Sequence, residues 1–129
     1  MNKRSETRMT VIPILFVRDV PLAAGYFKDK LGFEVDFLHG EPPFYGSVSR
    51  GRACFHFRCV KRPNFVELAA REPSLILATV EVDDVHGLFR EFEAHGADIR
   101  QQPTRQPWGG TDFHVRDPDG NVISFVTYD

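Results

Sequence analysis

The chain reads as one arrangement written twice, and this limits its folds more than any other feature. Asp19-Val20 and Asp84-Val85 each follow a run of strand-forming residues and open an apolar-striped segment, 65 residues apart. The glycines that close those segments, Gly32 and Gly96, stand 64 apart. In the first copy, residues 10–17 predict a strand, Asp19 an N-cap, and Tyr26, Phe27 and Leu31 a helical apolar stripe. Gly32 suits the left-handed position after a helix. Strands at 33–38, 45–49 and 53–60 follow, separated by Gly40-Glu41-Pro42-Pro43 and Arg50-Gly51-Arg52. The second copy has a strand at 75–82, then Val85, Leu88, Phe89 and Phe92 on one helical face, then strands at 98–102, 111–116 and 121–128. The expected fold is α+β, with tandem βαβββ modules in one domain over 10–128. Module 1 covers 10–60 and module 2 covers 75–128, with a connector at 61–74 and a flexible tail at 1–9.

The last strand pair has its turn chemistry spelled out. Asp117-Pro118 starts a reversal, Asp119-Gly120 supplies residues that tolerate positive φ, and apolar residues alternate on both sides. Alternation along the strands assigns faces. Phe55, Phe57, Phe113, Val115, Ile123 and Phe125 suit the side covered by a helix. Cys54, His56, Arg58, Asp112, His114, Arg116 and Ser124 point the other way. Two such sheets, each with a helix on its outer face, are expected to curl so that their inner faces enclose a cavity with a mixed polar and apolar lining.

Composition narrows the function classes. The 129 residues carry a net charge of −2, which argues against nucleic acid as a bulk electrostatic partner. No apolar run is long enough to span a bilayer, and residues 1–10 lack the apolar core of a secretion signal, so a cytoplasmic location is expected. Cys54 and Cys59 are the only cysteines. On one strand they fall on opposite faces roughly 16 Å apart, too far for a disulfide. Both are expected to be free, small buried hydrophobes. There is no G-x-S-x-G, P-loop or G-x-G-x-x-G.

Four segments carry a resemblance: Val17-Arg18-Asp19-Val20, Tyr26 to Phe33, Val82-Asp83-Asp84-Val85 and Asp117-Pro118-Asp119-Gly120-Asn121. At these residues the chain resembles the vicinal oxygen chelate superfamily, which includes glyoxalase, extradiol dioxygenases and the bleomycin-resistance proteins. The resemblance implies paired βαβββ modules in a homodimer whose clefts form between modules. It also implies that a metal-binding relative would place its ligands at positions held here by Ile12, His56, Leu77 and Ser124. Only His56 is a usable donor, and a transition-metal site needs three or four. A shifted site built from His114, His56 and Glu81 is the remaining metal option. No cofactor, metal or catalytic residue is therefore expected.

The nearer resemblance is to the bleomycin-resistance branch, through Trp108-Gly109-Gly110-Thr111 and the aromatics Phe33, Phe37 and Tyr45. It implies aromatic walls at Phe37 and Trp108 that sandwich a planar ligand, with Gly109 and Gly110 letting backbone amides approach it. Trp108 reads equally well as a plug over the sheet edge or a dimer anchor. His56, His114 and Ser124 could make polar contacts with the ligand, or pair with neighbouring strands. Arg58 and Arg116 could grip an anion or be answered by Glu81. The leading expectation is a metal-free protein that binds or sequesters an amphipathic aromatic compound or antibiotic. The alternative is a metal-dependent lyase, isomerase or dioxygenase of the same superfamily, and a third is a non-catalytic dimeric scaffold.

Overall fold

The computed structural model describes residues 7–129. Residues 1–6 of the expected tail lie outside them, and residues 7–13 take no regular structure. Module 1 runs β1 (Ile14–Val17), α1 (Val20–Leu31), β2 (Glu34–His39), β3 (Tyr45–Arg50) and β4 (Ala53–Cys59). A short helix, α2 (Phe65–Arg71), sits in the connector, where the sequence predicted none. Module 2 runs β5 (Ala78–Glu81), α3 (Val85–Ala94), β6 (Asp98–Gln106), β7 (Gly110–Arg116) and β8 (Val122–Tyr128). The two sheets have equivalent strand orders, β1-β4-β3-β2 and β5-β8-β7-β6, and in each the first pair is parallel and the rest antiparallel.

The helix boundaries follow local chemistry. Asp19 accepts from the Leu22 amide at 3.0 Å, and Asp84 accepts from the Gly87 amide at 2.9 Å, so each caps free N–H groups at its helix start. Gly32, at φ +71°, lets the chain leave α1 in the left-handed region.

Strand alternation places the core. Leu15, Val17, Val48, Phe55 and Phe57 pack under α1, and Phe113, Val115, Ile123 and Phe125 pack under α3. Phe27 sits at the centre of module 1, its ring 5.1 to 5.4 Å from those of Phe33, Phe55 and Phe57. In module 2, Phe92 meets Phe113 and Phe125 edge-on while those two stack at 5.4 Å.

These residues form one continuous cluster that joins the helix-covered sides of both sheets. That arrangement corrects an expectation: within a single chain the opposite, open sheet faces do not turn toward each other around a shared cavity. The cysteines also differ from expectation. Both are free, but Cys54 is half-buried and Cys59 exposed.

Polar contacts lock one module to the other. Tyr26 Oη donates to the Arg116 carbonyl and accepts from the Asp98 amide, both at 2.9 Å. Asp119, at the β7–β8 turn, accepts from the Arg18 amide at 3.1 Å and from its guanidinium Nε at 3.0 Å. Asn121 Nδ2 donates to the Phe16 carbonyl. The turn therefore serves its own hairpin and the start of module 1's helix together. Gly120 holds φ +84°, and a Cβ there would run into the Val66 side chain on α2. Gly120→Ala is expected to lower stability by about 1–2 kcal/mol, read as a lower urea midpoint with an unchanged slope.

Candidate functional site

The open face of the module 1 sheet collects aromatic and polar side chains by register. His56 on β4 stands opposite Ile14 of β1 and Ser47 of β3, and Ser47 stands opposite Phe37 of β2. Tyr45 and Arg58 pair in the same way across β3 and β4. The His56 ring lies 5.3 Å from Tyr45 and 5.9 Å from Phe37, edge-on to both. The Tyr45 hydroxyl meets His56 Nδ1 at 2.9 Å. Phe16 lies on this face opposite Arg58, and Phe16 and Phe37 stay more than two fifths exposed. Asp36, at the bulge in β2, accepts from Ser47 and Ser49. Phe37, Tyr45, His56 and Arg58 thus share one surface. Phe33 does not belong to it: its ring packs in the core against Phe27 and Phe55.

The open face of the module 2 sheet is built around a carboxylate that the sequence reading left out of the site. Asp112 is only 5% exposed. It accepts from Gln101 Nε2 and Gln106 Nε2 at 2.9 Å, from His114 Nε2 at 3.1 Å and from Ser124 Oγ at 3.2 Å. Burial pushes its carboxyl up, yet the hydrogen bonds from Gln106, His114 and Gln101 outweigh this and hold it below the ordinary carboxylate range. Asp112 is therefore ionised at neutral pH and can only accept, which makes His114 Nε2 the protonated ring nitrogen.

Ser124, His114 and Asp112 do not form a nucleophile with a base. The serine and the histidine both donate to the aspartate rather than to each other. Ser124, buried to 1%, acts as a strut for Asp112. Glu81 answers neither arginine as expected: Arg116 pairs with Asp98 at 2.8 Å, and no ion pair of Arg58 occurs among the described residues.

Trp108 lies at the upstream end of β7. Its ring is 5.8 Å from that of Tyr128, and it is 55% exposed. A Cβ on Gly110 would stand 2.6 Å from Trp108 Cζ3, so the absence of a side chain there lets the indole lie against the strand. Gly109, at φ +102°, turns the chain into that position. Tyr128, Phe16 and Asp112 were missed as site residues. Parity alone placed Asp112 on the open face, but nothing local marked the donors that converge on it from β6, β7 and β8.

A cleft of about 1440 Å³ lies between the β3–β4 turn, β5 and α3. None of Phe37, Tyr45, His56, Arg58, Trp108, His114 or Ser124 lines it. A smaller one of about 400 Å³ lies between α2 and the β7–β8 turn, beside Arg18, Asp98 and Arg116.

The donor set does not suit a metal ion. His56 faces Ile14, Ser124 faces Thr79, and Ile12 and Leu77 offer no donor atom. Among the described residues no three His, Cys, Asp or Glu side chains converge. His56 stands on the module 1 sheet and His114 and Glu81 on the module 2 sheet, and the shifted set does not come together among the described residues. No helix among the described residues is long and apolar enough to cross a membrane.

Known proteins share this architecture. The bleomycin-binding protein of the bleomycin-producing Streptomyces verticillus, solved with copper(II)-bleomycin, is 26% identical, with a TM-score of 0.74 over 97% of this chain and 100% of that one. A bleomycin resistance determinant encoded on the transposon Tn5 is 21% identical, with a TM-score of 0.77 over 95% and 99%. TioX from Micromonospora sp. ML1 is 23% identical, with a TM-score of 0.73 over 95% and 100%. In sequence, the uncharacterised protein YraH of Bacillus subtilis (strain 168) is 25% identical over 118 residues, 84% of this chain and 90% of YraH. A family model matches residues 9–125, nearly all of the two-module fold: the chain belongs to the Glyoxalase/Bleomycin resistance protein/Dioxygenase superfamily.

Proposed function

We propose that this protein binds and sequesters an amphipathic aromatic small molecule, without a metal and without chemistry on it. One observation carries the reading: aromatic side chains stand unburied on both open sheet faces, beside fixed polar groups. Phe37 and Tyr45 flank His56 on one face, where Phe16 stands opposite Arg58, and Trp108 and Tyr128 lie at the Gly110 end of β7 on the other. Aromatic rings left in water favour stacking on a planar ligand, worth on the order of 1 kcal/mol beyond the area buried. The bleomycin-binding neighbour from S. verticillus supports the same class of ligand.

Exposed apolar residues on the open face of module 1, Ile14, Phe16 and Phe37, also support pairing with a second copy. Such a homodimer would set open faces against each other and close a cleft that one chain does not form. Sedimentation of the purified protein at micromolar concentration is expected to give twice the chain mass; a monomer would remove the cleft between copies.

Trp108 is the only tryptophan, so its emission reports its own surroundings. Titration with planar aromatic compounds, including bleomycin, is expected to change that emission saturably for at least one compound. Gly110→Ala is expected to weaken binding roughly tenfold by lifting the indole off the strand, while leaving stability within about 1 kcal/mol. No change for any compound, with no thermal stabilisation, would remove the binding reading. Elemental analysis after dialysis is expected to find less than stoichiometric metal; a firmly held equivalent would point to the lyase, isomerase or dioxygenase chemistry of the superfamily.

A further inference from the structure

Asp112 and His114 are more elaborate than a sheet surface requires. A buried carboxylate is costly unless it is fully hydrogen-bonded, and this one holds four donors from three strands. Three of them, Gln101, Gln106 and Ser124, only anchor the aspartate. The fourth, His114, presents Nε2–H to Asp112, so in its neutral form it is held in one tautomer, with the lone pair on Nδ1.

Among the described residues Nδ1 has no hydrogen-bond partner, and no buried side-chain nitrogen or oxygen lacks one. Nδ1 therefore reaches solvent, although the His114 side chain is only 13% exposed. The result is a single acceptor, held in position from behind by an ionised carboxylate. It lies on the strand face whose upstream end carries Trp108 and Tyr128. The other charged groups on this face are Arg116, tied to Asp98, and Glu81 across from Val126.

Resting on the aromatic-ligand reading above, we infer that His114 Nδ1 selects ligands with an acidic hydroxyl, a phenol or an enol, and takes its proton on binding. The ligand O–H bond breaks, an N–H bond forms at Nδ1, and the oxyanion stays hydrogen-bonded to the new imidazolium. No electrons leave either partner. The imidazolium stands beside the ionised Asp112, which offsets its charge. A methyl ether of the same ring system has the same stacking surface but no proton to give, and would leave Nδ1 unmatched.

The test compares 7-hydroxycoumarin with 7-methoxycoumarin on the whole protein, at a pH where free 7-hydroxycoumarin is mostly neutral. The hydroxy compound is expected to bind roughly tenfold more tightly, with the longer-wavelength absorbance of its anion in the bound state. His114→Gln, which keeps a donor within reach of Asp112 but has no basic nitrogen, is expected to erase both the preference and the anion signal. Methoxycoumarin binding is expected to survive that change. Equal affinity of the two coumarins would overturn the inference and leave aromatic binding standing, as would a neutral bound chromophore. A preference that persists in His114→Gln would overturn it too, and would point to Arg116 instead. If neither coumarin binds, the inference falls together with the reading it rests on.

Discussion

Truncation of Phe27 to alanine is expected to destabilise the protein by about 3–5 kcal/mol, the usual cost of removing a fully buried ring. Phe27 is 0% exposed and touches three other phenylalanine rings, one from the loop after α1 and two from β4. Those rings meet it edge-on or tilted, so no small shift refills the space. Domains of this kind are stable by about 5–15 kcal/mol in total, which makes this one ring a large share. Urea unfolding followed by circular dichroism measures the loss, and Phe27→Leu should keep roughly half of the stability at stake. A loss under about 1 kcal/mol for the alanine variant would mean that the helix does not close over β4 as described.

The second large effect is expected at Asp117, the buried acid at the root of the β7–β8 turn. Its carboxylate accepts from the Asp119 amide, the Asn121 amide and Asn121 Nδ2 at 2.8 to 2.9 Å. Asp117→Ala strands those donors and is expected to cost about 2–4 kcal/mol, since each unmatched buried donor costs about 1–3.

The same residue sets a pH dependence. Burial pushes its pKa up to about 6, with the hydrogen bonds from Asn121 only partly offsetting it. The folded state therefore holds this proton more tightly than the unfolded chain, whose value is near 3.8. The contribution from Asp117 is fully present below the unfolded value and is lost as pH rises through about 6, a change on the order of 3 kcal/mol. Asp117→Asn keeps an acceptor and does not ionise, so it should gain on the wild type by about 2 kcal/mol as pH rises from 4 to about 7. Asp112 and Glu91 act in the opposite sense: their depressed carboxyls lose stabilising interactions as pH falls. Because both variants of position 117 share them, the difference between the two stability profiles isolates Asp117. Parallel profiles across that range would show that position 117 does not titrate as described.

Much of the frame was legible because it depends on neighbours in sequence. Asp19 and Asp84 cap helices through amides three residues on, and Gly32 and Gly120 hold positive φ where the chain reverses. Parity placed Phe55, Phe57, Phe113 and Phe125 under the helices, since successive side chains on a strand alternate regardless of context. Boundaries that depend on a partner strand were not legible. Residues 10–13 have strand character and the Pro13 carbonyl accepts from the His56 amide of β4 at 3.0 Å, yet the parallel ladder with β4 takes its register from Ile14, where β1 starts. The strand expected at 98–102 continues to Gln106, through Pro103, because β6 is an edge strand whose register shifts between Gln101 and Thr104. Helix α2 buries only Phe65 among its residues and so has no stripe to read.

By itself the sequence determined the doubled βαβββ order, the caps, the turns and which side chains leave each strand on the open side, because these rest on contacts a few residues long. The tertiary structure decided that Tyr26 and Asp119 bind one module to the other and that Gln101, Gln106, His114 and Ser124 converge on Asp112. It also decided that the helix-covered faces merge into one core while the open faces stay apart. Hydrogen bonds between distant segments and the closing of one apolar core around two helices depend on where separate strands meet in space, and no short stretch of sequence carries that information.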